Sequence, residues 1–194
     1  MKKIIIAIAL AMATLGTAQA QTDAPAAQPM RFMVGMGLTG GGDRLGTAHY
    51  ISGYDASIHA GGAIDFNAGI DYRINSAASF QGTVGYHSDR ASARNGDMHF
   101  SRIPMELLAY YNFHPQWRIG AGVRYVSNAA FRSSGAAYAG NIDYKNTVSP
   151  LIEAEFMMKH WGFKARVVNE QYEEKLTGKK VDGDHVGLFG TYYF

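Results

Sequence analysis

The chain has 194 residues, with 18 Lys and Arg against 16 Asp and Glu, 23 Gly and no Cys. So even a balance excludes the strongly basic surface of a nucleic-acid binder, and the lack of Cys excludes a disulfide framework. No uninterrupted apolar run reaches the length of about 18 residues that a membrane-spanning helix needs.

The first twenty residues read as a cleaved secretory signal peptide. Lys2 and Lys3 precede the apolar run from Ile4 to Leu15, and Ala18-Gln19-Ala20 supplies the small-x-small site. Residues 21–29, rich in Ala, Pro and Gln, read as a short tail. Residues 30–194 are expected to form one domain.

From Met30 onward the sequence alternates with the two-residue period of a strand. In the first segment Phe32, Val34, Met36 and Leu38 oppose Arg31, Met33, Gly35 and Gly37. Gly40 to Asp43 interrupts it as a bulge or loop, Thr47 to Ile51 is read as a continuation, and Ser52 to Asp55 as a turn. Gly35 to Gly40 spells a dinucleotide fingerprint, but no helix pattern opens at its last Gly, so the match is read as chance. The second segment sets Ile64, Phe66, Ala68, Ile70, Tyr72 and Ile74 against Asp65, Asn67, Gly69, Asp71 and Arg73. A turn at Asn75 to Ala78 leads into a third strand carrying Phe80, Val84 and Tyr86 on one face. Asp89 to Asp97 reads as a polar loop.

The fourth strand is expected from about His99 to Phe113, with Glu106 on its polar face. The fifth sets Trp117, Ile119, Ala121, Val123 and Tyr125 against Arg118, Gly120, Gly122 and Arg124. Ser127 to Asn146 reads as a long loop of small and polar residues. In the sixth, Val148, Pro150, Ile152, Ala154 and Phe156 oppose Glu153 and Glu155; in the seventh, Trp161, Phe163, Ala165 and Val167 oppose Lys164 and Arg166. Glu170 to Asp184 reads as a charged loop. The eighth strand, His185 to Phe194, ends the chain on an aromatic residue.

Eight alternating segments fit an all-β, eight-stranded antiparallel up-and-down transmembrane β-barrel. Connections after the second, fourth and sixth strands are short, and those after the third, fifth and seventh are long. Short turns are expected in the periplasm and long loops outside the cell. Aromatics gather beside the short turns (Phe32, Tyr72, Tyr111, Trp117, Trp161, Phe194), and a second set, Tyr50, Tyr86, Tyr125 and Tyr172, lies toward the long loops. Such girdles belong at the two membrane interfaces.

The apolar face is expected to meet lipid, because an eight-stranded lumen has little room for Trp and Phe beyond its own filling side chains. The polar face then places Asp65, Asp71, Arg73, Glu106, Arg118, Arg124, Glu153, Glu155, Lys164 and Arg166 in the lumen. This set is expected to be a structural ion-pair network that plugs the barrel, since buried charges need partners. A gated ionic constriction is the functional alternative, and a narrow channel for small solutes a further one.

The leader, the eight amphipathic strands and the terminal Tyr192 and Phe194 together resemble the small OmpA/OmpX-like outer-membrane β-barrel superfamily of Gram-negative bacteria. The resemblance implies an outer-membrane location, an insertion signal at Tyr192 and Phe194 read by the barrel-assembly machinery, and outer-membrane lipid and lipopolysaccharide as partners. It also implies an envelope-structural or surface-interaction role carried by the external loops, in a monomer that binds no nucleic acid. His99 and Ser101 share one outward strand face, and a Ser beside a His base is a hydrolase pairing. The position is similar to that used by the lipid A deacylase of this broad superfamily, so a lipid A-modifying hydrolase is an alternative, with no orienting acid expected on that face. Neither cofactor nor metal site is expected from the spacing of His and carboxylates.

Overall fold

The computed structural model describes residues 29–49, 55–93, 96–135, 138 and 140–194. The expected signal peptide, most of the tail after it, and Tyr50 lie outside the described residues. The strands in chain order are β1 (Met30–Gly41), β2 (Arg44–His49), β3 (Asp55–His59), β4 (Ala63–Arg73), β5 (Ala78–Ala93), β6 (Gly96–His114) and β7 (Trp117–Gly135). They continue with β8 (Ile142–Asp143), β9 (Thr147–Met157), β10 (Trp161–Val168), β11 (Gln171–Glu173), β12 (Lys180–Asp182) and β13 (His185–Tyr193).

Eight of them close into an antiparallel ring, β1–β4–β5–β6–β7–β9–β10–β13, with β13 returning to β1. The seam runs in register from Met33 opposite Tyr193 to Gly41 opposite His185. Beyond it the Phe194 N–H donates to the Phe32 carbonyl at 3.0 Å. Closure leaves the barrel without an unpaired edge, which lipid would not tolerate.

The strand period sorts the two faces without mixing them. On β13, residues alternate between buried His185, Gly187, Phe189, Thr191 and Tyr193 and outward Val186, Leu188, Gly190 and Tyr192. Outside lies a continuous apolar belt in which Leu38 is 66% exposed, Leu188 70% and Phe32 58%. Nine steps of rise from Ile64 to Arg73, at about 3.3 Å each, make roughly 30 Å of strand; the ~40° tilt usual in such barrels leaves roughly 23 Å, close to the height of a membrane-facing band. The belt is therefore a lipid-facing surface and the barrel a transmembrane one. At its short-turn end Tyr192 meets Trp161 edge-on and Phe194 likewise, both at 5.1 Å between ring centres.

The connections at the other end depart from the sequence reading. Asp89 to Asp97 is not a polar loop: β5 runs on to Ala93, and β6 already begins at Gly96. Ser127 to Asn146 contains the last nine residues of β7, Ser127 to Gly135, and the short β8 paired to it. Thr47 to Ile51 does not continue β1; its described part belongs to β2, in a separate hairpin with β3. Glu170 to Asp184 contains the hairpin β11–β12. Together these pieces form a crown standing above the belt.

The crown has an apolar core of its own. Ile58 from β3, Ala91 from β5, Met98 and Phe100 from β6, and Val126, Ala129 and Phe131 from β7 pack with Tyr144, Tyr172 and Val181. Phe100, Tyr144 and Tyr172 meet one another edge-on at 5.4–5.8 Å between centres. Hydrogen bonds tie the entry of the first hairpin to the second: the Asp43 N–H donates to the Asp182 carbonyl at 2.7 Å and the Asp182 N–H to the Asp43 side chain, at Oδ2, at 2.9 Å. On the far side the Lys175 N–H donates to the Asp143 carbonyl at 2.9 Å.

Candidate functional site: the charged lumen and the crown above it

Inward strand positions bring their charged side chains into a lumen too narrow for them to stay apart. Nearest the short turns, Arg118 is the hub. It donates to Glu155 Oε2 and to Asp71 Oδ1, each at 2.7 Å, to the Tyr193 hydroxyl at 2.8 Å and to Ser79 Oγ at 3.1 Å. Its guanidinium also lies 4.0 Å from the centre of the Tyr110 ring. Asp71 takes a second cation, Arg31, at 2.7 Å.

One level up, Lys164 pairs with Glu153 at 3.0 Å and Glu155 at 3.7 Å and donates to Gln81 Oε1 at 2.9 Å. Arg166 bridges Glu153 at 2.6 Å and Glu106 at 2.7 Å. Glu106 also accepts from Arg124 at 2.6 Å, and Arg124 reaches Asp65 at 3.4 Å. Nine of the ten charges expected in the lumen are thus buried and joined in one network. Arg73 is the exception. It keeps inward parity but sits at the last residue of β4, exposed at the short-turn mouth.

Arg31, Glu170 and Arg102 also join the network but were not among the ten lumen charges expected from the sequence. Glu170, placed in a loop by its sequence, is buried and stands 3.6 Å from Arg124 Nε, and Tyr172 donates to it at 2.5 Å. Arg102 follows β6 parity, two residues before Pro104, and is fully buried. It closes no carboxylate pair among the described residues. Its Nη2 donates to the Gly62 carbonyl at 3.2 Å and reaches His87 Nε2 at 3.0 Å, and its guanidinium stacks 4.8 Å from Phe100 and 5.9 Å from Tyr172. Arg102 therefore joins the top of the lumen to the underside of the crown. Strand parity alone could have found Arg102; Glu170 carried no such signal, because no alternating pattern surrounds it.

Glycines make room where the lumen holds rings. The Phe189 ring lies across Gly37 and Gly187, and a Cβ on Gly187 would stand 2.7 Å from it. Tyr110 fills the space over Gly120 in the same way, at 2.7 Å. Leu108, Tyr110, Leu151 and Val168 form a small buried apolar cluster that further closes the bore.

His99 and Ser101 are partly exposed on the outer face of β6, just above the belt, and no hydrogen bond joins them among the described residues. Contrary to expectation an acid does share that face: Asp97 Oδ2 stands 3.6 Å from His99 Nδ1. It is engaged elsewhere, accepting from Arg90 Nε at 3.1 Å and from the Ser92 hydroxyl. Ser92 first, then Arg90, hold its carboxyl below the usual range. The pieces of a relay lie side by side without the Ser–His hydrogen bond that would activate a nucleophile. Among the described residues no group of His and carboxylates is arranged to hold a metal ion.

No protein-family model matches the chain, and no curated protein sequence matches it. Solved structures do. Ail, the attachment invasion locus protein of Yersinia pestis, superposes with a TM-score of 0.56 at 12% identity, over 85% of this chain and 97% of that one. The same protein in complex with the heparin analogue sucrose octasulfate gives 0.54 at 13% identity, over 85% and 97%. OprG from Pseudomonas aeruginosa gives 0.51 at 13% identity, over 86% of this chain and 96% of that one. At such identities the likeness is one of fold, and with the closed ring and lipid belt it makes the chain a small eight-stranded barrel of the outer-membrane type.

Proposed function

We propose that this protein is an outer-membrane barrel whose bore is closed and whose crown is an ordered platform for surface interaction or envelope structure. The crown is the observation that carries this reading. Strands β5, β6 and β7 rise well beyond the belt and, with two hairpins, pack over a core of their own. Below it the bore is filled by paired charges and an apolar layer. A conduit would need neither. The short-turn end faces the periplasm and the crown faces outward, in a monomer. Tyr192 and Phe194 on the closing strand present the terminal signal to the assembly machinery.

The sequence lacks Cys, so single cysteines report orientation cleanly. Ser134→Cys, exposed on the crown, is expected to react with a membrane-impermeant maleimide on intact cells, and Lys159→Cys, in a short turn, only after the outer membrane is opened. Reconstituted in planar bilayers, the protein is expected to show no discrete conductance. Well-resolved channel openings, or labelling at Lys159→Cys alone in intact cells, would overturn the reading.

A further inference from the structure

The wall of the barrel has a break where β9 and β10 part company. Their ladder ends at Leu151 opposite Val168, and the Asn169 N–H then donates to the Pro150 carbonyl at 3.2 Å. A strand residue directs its N–H and C=O to the same side, so Pro150 lacks the N–H that would point back toward β10. Above it Thr147 Oγ1 donates to the Gln171 carbonyl at 3.0 Å, and the Lys145 N–H closes the top of the gap by donating to the Glu173 carbonyl at 2.8 Å. A notch of about 370 Å³ opens there.

Its chemistry changes sharply with height. Along the outward face of β10 and β11 the order is Trp161, Phe163, Ala165 and Val167, then Asn169, Gln171 and Glu173. Apolar belt gives way to amides and charge within one strand step, which marks the membrane interface. The lower lip of the notch is apolar, with Val148 68% exposed and Pro150 beside it. Its upper wall carries Lys145, Asn146 and Lys180. Asn146 is held in place by donating to the Tyr125 hydroxyl at 2.7 Å, in the crown-side aromatic girdle. Lys145 pairs with Glu173 at 2.5 Å. Lys180 faces Glu173 in register but closes no direct ion pair or hydrogen bond among the described residues.

We infer that this notch seats the phosphorylated sugar headgroup of an outer-leaflet glycolipid. Lys180 meets a phosphate, with Lys145 turning from Glu173 toward it, and Asn146, Asn169 and Gln171 hydrogen-bond sugar hydroxyls. Acyl chains descend from the apolar lip along Ile152, Ala154, Ala165 and Val167. The volume suits one or two sugar rings. This inference rests on the outer-membrane reading above, because only that membrane places such headgroups at this height.

The test uses the full-length protein purified in detergent and three probes: phosphorylated lipid A, the same lipid after phosphate removal, and free glucosamine 1-phosphate. The double variant Lys145→Ala and Lys180→Ala is expected to bind phosphorylated lipid A roughly tenfold or more weakly, from about 1 kcal/mol per interfacial lysine. It should bind the dephosphorylated lipid as the parent does. Arg90→Ala, on the opposite wall, is expected to leave all binding unchanged. Heat-modifiable gel mobility of each variant reports that the barrel is folded. A folded double variant with undiminished lipid A binding overturns the seat alone, as does free glucosamine 1-phosphate binding as tightly as the lipid. A parent protein without a heat-shifted band overturns the membrane reading, and the seat with it.

Discussion

The lumen and the crown are built by opposite means from the same strands. In the lumen, inward positions of β6, β7, β9 and β10 carry Arg, Lys or Glu, and ion pairs of 2.6–3.0 Å hold the centre together. A few residues further along β5, β6 and β7 the same inward positions become Ala91, Met98, Phe100, Ala129 and Phe131, and apolar packing takes over. Lipid around the belt reverses the usual order of a folded protein, so charge goes inward and Leu and Phe outward. Above the belt the outside is water again, and the ordinary order returns. Arg102 sits on the boundary, with imidazole on one side and aromatic faces on the other.

The largest effect should come from breaking the lumen. Glu106 receives both Arg124 and Arg166, and Glu106→Ala leaves two buried guanidiniums competing for the remaining carboxylates. A loss of about 3–5 kcal/mol is expected, read as a lower urea midpoint of the heat-modifiable band. Glu106→Gln should cost less, because it still accepts hydrogen bonds.

Phe131→Ala tests the other region. It removes a buried ring from the crown core, a change worth about 3–5 kcal/mol in a well-packed core. Here the damage should stay local. Limited trypsin digestion is expected to cut the crown faster, with the barrel still shifting on heating; loss of the folded barrel band would show that the two regions melt as one.

The seam between them should respond more gently. Tyr172→Phe removes the 2.5 Å hydrogen bond to Glu170 at an expected cost of about 1–3 kcal/mol, since a buried carboxylate loses a donor. Crown proteolysis and the barrel's urea midpoint should both shift slightly, which neither of the other substitutions is expected to produce. Ala at His99 and Ser101 should change stability by less than about 0.5 kcal/mol and leave lipid A composition, read by mass spectrometry, unaltered.

The smallest effect concerns pH. Arg132 holds the Asp143 carboxyl, and Lys145 that of Glu173, below the usual carboxylate range by hydrogen bonding. A depressed carboxyl contributes stability above its unfolded value and loses it as pH falls through the folded one. Both crown pairs should therefore persist from neutral pH down to about pH 4 and open below it. Carboxyl-carbon NMR shifts in an acid titration would show this.

What the sequence reveals follows from the same contrast. In the belt, lipid forces strict alternation, so Ile64 to Ile74 can be assigned to a face by inspection, and Asp65, Glu106, Arg118 and Arg166 fall inside by parity. Arg73 shares that parity and is exposed, because parity says nothing about where a strand leaves the barrel. Above the belt both faces of a strand can be small or polar. Ser88, Ser92, Ser101 and Ser133 mask the alternation that Ala91, Met98, Phe100 and Phe131 continue. Tyr172 and Val181 belong to strands of three residues, too short for any period to register. They are placed by contacts far apart in sequence, such as Asp43 with Asp182.

Hydrogen exchange on the barrel in lipid nanodiscs tests the central claim most directly, that the segments beyond the membrane form a packed crown above a closed bore. Amides of Asp89 to Ala93, Gly96 to Ser101 and Ala129 to Gly135 are expected to be protected far beyond free-chain rates, approaching the belt strands. Exchange of these segments at the rate of an unstructured chain, beside a protected belt, would contradict it.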